Sequence, residues 1–130
     1  MSHTKLGFCI LYTPDVIAKV AFYERAFGME RKFVAEGDSY AEMKGPPPLG
    51  FASEVLAEKG AGAFARARRE SAPAACEIGF VVEDVAAAYA RAVEAGAIAL
   101  HAPEQKPWGQ IVSLLRDCDG ALVEICTAWD

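Results

Sequence analysis

A chain of 130 residues makes one domain, or two small ones sharing a core. It is 53% hydrophobic and only 24% charged, which excludes a disordered polymer. Its net charge of -5 argues against wrapping nucleic acid, and no apolar run approaches the ~20 residues of a membrane-spanning helix.

Met1-Ser2-His3-Thr4-Lys5 is short and polar, unlike a signal peptide. Phe8 to Thr13 reads as a strand, and Asp15 as the N-cap of a helix on which Val16, Val20, Tyr23 and Phe27 share one face. Gly28 stands where a left-handed cap ends it. Arg31 to Ala35 and Tyr40 to Met43 form a hairpin around Glu36-Gly37-Asp38-Ser39. Gly45-Pro46-Pro47-Pro48 stops it, and Leu49 to Ser53 is a fourth strand. The stretch from Glu54 opens with room for a short helix. Residues 60–74 read as a linker whose Arg66, Arg68 and Arg69 make a solvated basic turn.

The second half repeats the first. Glu77 to Val82 runs into Asp84-Val85 as Phe8 to Thr13 runs into Asp15-Val16, and Gly96 corresponds to Gly28. Ala97 to His101, Gln110 to Arg116 and Ala121 to Thr127 are the remaining strands, the last two joined by the Asp117-Cys118-Asp119-Gly120 turn. The expected organisation is a first βαβββ module over 1–59, a linker over 60–74 and a second module over 75–130. Each such module leaves one sheet face bare, so two must pair. Cys9, Cys76, Cys118 and Cys126 contain no Cys-x-x-Cys pair and read as reduced, mostly buried thiols of a cytoplasmic protein.

Ala21-Phe22-Tyr23-Glu24-Arg25-Ala26-Phe27-Gly28 after a capped strand, Lys106-Pro107-Trp108-Gly109-Gln110, and the ending Asp117-Cys118-Asp119-Gly120-Ala121-Leu122-Val123-Glu124 together resemble the vicinal oxygen chelate superfamily. That superfamily includes glyoxalase I, bleomycin-resistance proteins and extradiol dioxygenases. The resemblance covers nearly the whole chain and departs from the family pattern at Cys118, where proline is usual. It implies an α+β fold in which two tandem βαβββ modules make a curved mixed-sheet half-barrel with a concave ligand cleft. It also implies a homodimer.

In metal-using members of that superfamily the ligands come from the first and last strands of each module. Carried over, those positions are Phe8 and Phe51 in the first module and Glu77 and Glu124 in the second. Phenyl rings cannot ligate, and two carboxylates fall short of the three protein ligands that zinc takes. No cofactor is therefore expected; a divalent metal, if bound, would use Glu77 and Glu124. His101 shares strand parity with Ala97 and Ala99 and is a further candidate for the cleft. Trp108 is placed to stack on a flat or cationic ligand, with Phe8, Phe51 and Tyr40 as wall.

Two functions follow. One is a binding protein of bleomycin-resistance type that takes a small aromatic or cationic molecule in a metal-free cleft. The other is a metal-dependent glyoxalase-type lyase or isomerase in which Glu77 and Glu124 are catalytic. No phosphate loop, nucleophile elbow or His-Glu-x-x-His motif points elsewhere.

Overall fold

A computed structural model describes residues 2–129. The fold is α+β, with two four-stranded mixed sheets, as the repeat implied. The chain divides into two compact units: the stretch up to Glu24 with Gly28–Arg66, and Arg25–Phe27 with everything from Ala67 onward.

The first unit holds β1 (Cys9–Thr13), α1 (Val16–Phe27) as far as Glu24, β2 (Arg31–Val34), a 3-10 turn (Glu36–Asp38), β3 (Tyr40–Met43), β4 (Leu49–Ser53) and α2 (Glu54–Ala61). Strand order is β1-β4-β3-β2, with β1 and β4 parallel and the rest antiparallel. Asp15 caps α1 by accepting from the Ala18 amide (3.0 Å), and Gly28 ends it in the left-handed region at φ 67°. Successive strand residues face opposite ways. Thr13, Leu49, Phe51, Ala41 and Met43 therefore share one face, all but Leu49 essentially solvent-free. The Phe51 ring meets Tyr23 of α1 at 4.9 Å, and the buried Lys19 ammonium lies 5.8 Å above it.

This placement corrects the reading of Phe51 as a cleft wall. Leu11 pairs with Phe51 and Ile10 with Gly50 in the first unit, while Gly79 pairs with Glu124 in the second. The first-unit counterpart of Glu124 is thus Gly50, one residue earlier. Phe51 corresponds to Ile125, which is also buried in the core.

The second unit holds β5 (Glu77–Val81), α3 (Val85–Glu94), β6 (Ile98–Gln105), β7 (Ile111–Arg116) and β8 (Leu122–Cys126), in the order β5-β8-β7-β6. Asp84 caps α3 through the Ala87 amide (3.0 Å). The helix closes on Ala95 in a right-handed conformation, so Gly96 lies one residue beyond the cap expected of it. α3 packs on β6, β7 and β8. Ser113, Leu115, Val123 and Ile125 make the buried face. At the β7–β8 turn, the Asp117 carboxylate accepts from the amides of Asp119 (2.9 Å) and Ala121 (3.0 Å), supplying the rigidity that proline gives in the family pattern.

α2 runs to Ala61. Two other expectations are corrected. The basic cluster is not a merely solvated turn. Arg66 pairs with Glu54 (3.0 Å) and Glu58 (2.6 Å), Arg69 donates to the Gly96 carbonyl (3.1 Å), and Arg116 donates to the carbonyls of Arg68, Arg69 and Ser71. All four cysteines are free, but only Cys126 is buried, while Cys9 and Cys76 are exposed.

Phe51→Ala is expected to cost about 3–5 kcal/mol of unfolding free energy, because it opens a cavity under α1. Phe8 is 56% exposed, so Phe8→Ala should stay within about 0.5 kcal/mol of wild type. Urea denaturation of the two variants checks the contrast.

Candidate functional site

In the second unit, alternation sends Glu77, Gly79 and Val81 of β5, Leu122, Glu124 and Cys126 of β8, and Val112 and Leu114 of β7 to the face away from α3. Glu77 and Glu124 lie on adjacent strands, diagonal across the Gly79–Glu124 pair. A Cβ added at Gly79 would meet nothing within 4 Å, so the glycine leaves open space beside Glu124.

These two carboxyls line a hollow of about 180 Å³ together with His101, Glu104, Lys106 and Leu114. Burial pushes the Glu77 carboxyl above the ordinary carboxylate range, and hydrogen bonding to Glu124 and its negative charge push the same way. The Cys126 thiol, next along β8, is raised to about 11, by burial first and then by Glu124. It is therefore a thiol, not a nucleophilic thiolate, at neutral pH.

His101 reaches this face by a route that strand parity did not show. Ala99 pairs with Leu115 and His101 with Leu114, so a bulge between them adds one residue and turns the imidazole to the carboxyl side. A second irregularity before Glu104 brings that residue opposite Val112. Glu104 and Lys106 form an ion pair at 3.4 Å.

Trp108 does not line the carboxyl hollow. It lies along another one, with Gly109, Gln110, Thr127, Ala128 and Trp129. Trp129 was missed in the sequence because it follows the last predicted strand and has no periodic pattern around it.

Phe8 and Tyr40 belong to the first unit. Phe8 stands exposed just ahead of β1. The Tyr40 hydroxyl donates to Glu42 Oε2 at 2.7 Å, and Lys32 approaches the other oxygen at 3.4 Å. Burial and the Glu42 carboxylate push the Tyr40 phenol up to about 12, so it remains a proton donor at neutral pH. Tyr40 occupies the space over Gly50, where any Cβ would run into its hydroxyl.

A metal ion does not fit this donor set. Phe8 and Gly50 occupy the first-unit ligand positions and have no side-chain donor. Glu77 and Glu124 supply two carboxyls to the hollow, short of the three protein ligands that zinc takes. Among the described residues no three His, Cys, Asp or Glu side chains are placed to hold an ion.

Comparison with known proteins gives a match to the family model described as the Glyoxalase/Bleomycin resistance protein/Dioxygenase superfamily, over residues 5–125. No curated protein matches the chain by sequence. Among solved structures, a glyoxalase-related enzyme from Fulvimarina pelagi is 21% identical with a TM-score of 0.83, covering 97% of this chain and 89% of that one. A glyoxalase/bleomycin resistance protein/dioxygenase family enzyme from Burkholderia phytofirmans PsJN gives the same identity (21%) and TM-score (0.83), covering 95% of this chain and 98% of its own. A superfamily member from Sphaerobacter thermophilus DSM 20745 is 20% identical with a TM-score of 0.73, covering 97% and 98%.

The raised Glu77 pKa has a definite linkage sign. The folded state holds this proton more tightly than the unfolded chain. Stability therefore falls as pH rises from the ordinary carboxylate value through the raised one, then levels. Carboxyl-detected NMR should show Glu77 titrating late, and Glu124→Gln should move it back toward the ordinary range by removing a neighbouring charge. An ordinary Glu77 titration in wild type would contradict the raised value.

Proposed function

The chain belongs to the Glyoxalase/Bleomycin resistance protein/Dioxygenase superfamily, and from that premise we propose that it binds a small aromatic or cationic molecule without a metal. One observation carries the reading: two neighbouring carboxyls face an open hollow, with a glycine leaving room beside them. A cationic nitrogen entering there meets two carboxyl acceptors, as a charge-assisted hydrogen bond requires. His101 and Lys106 border the same hollow and set its polarity. The negative net charge favours approach of a cation.

Binding of an organic amine should tighten as pH rises through the raised Glu77 value, because ligand and proton compete. Calorimetry in buffers of different ionisation heat should detect proton release. Glu124→Gln should weaken amine binding by about tenfold to a hundredfold, the scale of one charged hydrogen bond. In a thermal-shift series, amines should raise the melting point, whereas Ni²⁺, Zn²⁺, Mn²⁺ and chelator should leave it unmoved. A rise with a divalent metal would replace this reading with the glyoxalase-type enzyme.

We also propose a homodimer. Val81 on the carboxyl face and Leu6 ahead of β1 are exposed apolar side chains of the kind that a second copy covers. Sedimentation at micromolar concentration should give twice the chain mass; a monomer would refute the assembly.

A further inference from the structure

The internal repeat sets Asp15 over Asp84, so Lys19, Phe22 and Tyr23 of α1 correspond to Ala88, Arg91 and Ala92 of α3. On the first unit, two of those side chains fill the space over Phe51. The Tyr23 ring meets it at 4.9 Å, and the Lys19 ammonium lies 5.8 Å from its centroid. On the second unit Ile125 takes the place of Phe51, and alanines stand where the lysine and tyrosine would be. Space is left over. A hollow of about 260 Å³ opens on the α3 side of the sheet, bordered by Ala88, Ile125, Phe80, Val82, Phe27 and Arg91.

Its walls are firmly placed. Phe80 pairs with Ile125, so both face α3, whereas Glu77 and Glu124 face the other way. The Phe27 ring stacks on Phe80, with centroids 4.7 Å apart and planes 24° from parallel, so the two rings form one apolar wall. Arg25–Phe27, which belong to this unit, are tied to α3 by reciprocal bonds. Arg91 Nε donates to the Arg25 carbonyl (2.8 Å), and Arg25 Nη2 donates to the Ala95 carbonyl (3.3 Å). The first bond fixes the plane of the Arg91 guanidinium. Arg91 is the one charged side chain among the described residues that line the hollow.

We propose that this hollow is a second small-molecule site, taking an aryl or alkyl carboxylate. The apolar body lies on the Phe27–Phe80 wall and Ile125, and the carboxylate on Arg91. An apolar cavity of about 150 Å³ accepts benzene, so the hollow has room for a ring and a short chain. A guanidinium is the planar, multi-donor partner that a carboxylate fits, and it stays charged at every working pH. An ammonium on the same body would meet Arg91 as a like charge. The sheet stands between this hollow and the carboxyl pair, so the inference does not depend on amine binding at Glu77 and Glu124.

Two probes test it: 4-phenylbutyrate and 4-phenylbutylamine, which share one body and carry opposite charges. Phenylbutyrate should shift the methyl NMR signals of Ile125, Val82 and Ala88 and leave those of Val112 and Leu114, on the carboxyl hollow, in place. By calorimetry, Arg91→Gln should weaken phenylbutyrate binding about tenfold, the scale of one charged hydrogen bond. Arg91→Lys, which keeps the charge, should bind it better than the glutamine variant. Ala88→Leu, which fills the hollow, should abolish binding, and Glu124→Gln should leave it unchanged. Undiminished binding in Ala88→Leu, shifts confined to the carboxyl face, or no binding at millimolar concentration overturns the site. Phenylbutylamine shifting the Ile125 and Ala88 methyls as strongly as phenylbutyrate overturns the carboxylate assignment. Amine binding lost in Glu124→Gln, with phenylbutyrate binding intact, upholds both readings. No amine binding to wild type, with phenylbutyrate held through Arg91, upholds this site and overturns the carboxyl reading alone.

Discussion

The register of β8 between β5 and β7 is the constraint on which the rest depends. Pairing Gly79 with Glu124 sends Val123 and Ile125 into the buried face and leaves Glu124 and Cys126 on the other. A slip of one residue would drive a carboxylate under α3 and two aliphatic side chains into the hollow. Because the core cannot accept that exchange, hydrophobic burial holds the two acids together against their own repulsion. Stability and chemistry in this unit are therefore set by one alignment.

Much of this was legible in the sequence. The repeated Asp-Val after each first strand marked both helix starts, since a capping carboxylate leaves a local signature. Tyr40 to Met43 and Leu49 to Ser53 were read at their observed bounds. Three features were not legible. Gly50 and Phe51 could not be told apart by role, because a pocket wall and a core position both favour an aromatic ring, and only pairing reveals the face. The bulge before His101 has no glycine or proline to announce it, so parity predicted a partnership with Ala99 that the sheet breaks. Trp129 lies where periodic patterns end, and its partner is fixed through the side chain of Gln110 rather than through strand spacing.

The two units carry acidic chemistry in different forms. On the second, two carboxyls face one hollow, and burial raises the pKa of Glu77. On the first, Glu42 is satisfied by a phenol and an ammonium, and the phenol is correspondingly hard to ionise. Both arrangements are suited to hydrogen-bond exchange with an incoming ligand.

The Tyr40 hydroxyl seated over Gly50 also bears on how such a surface can change over descent. A lineage acquiring glutamate at 50 would collide with the phenol, while one losing the phenol first would strip Glu42 of its nearest donor. The first step is blocked by the ring, while the second leaves Glu42 its Lys32 partner. Room for any side chain at 50 therefore depends on what stands at 40.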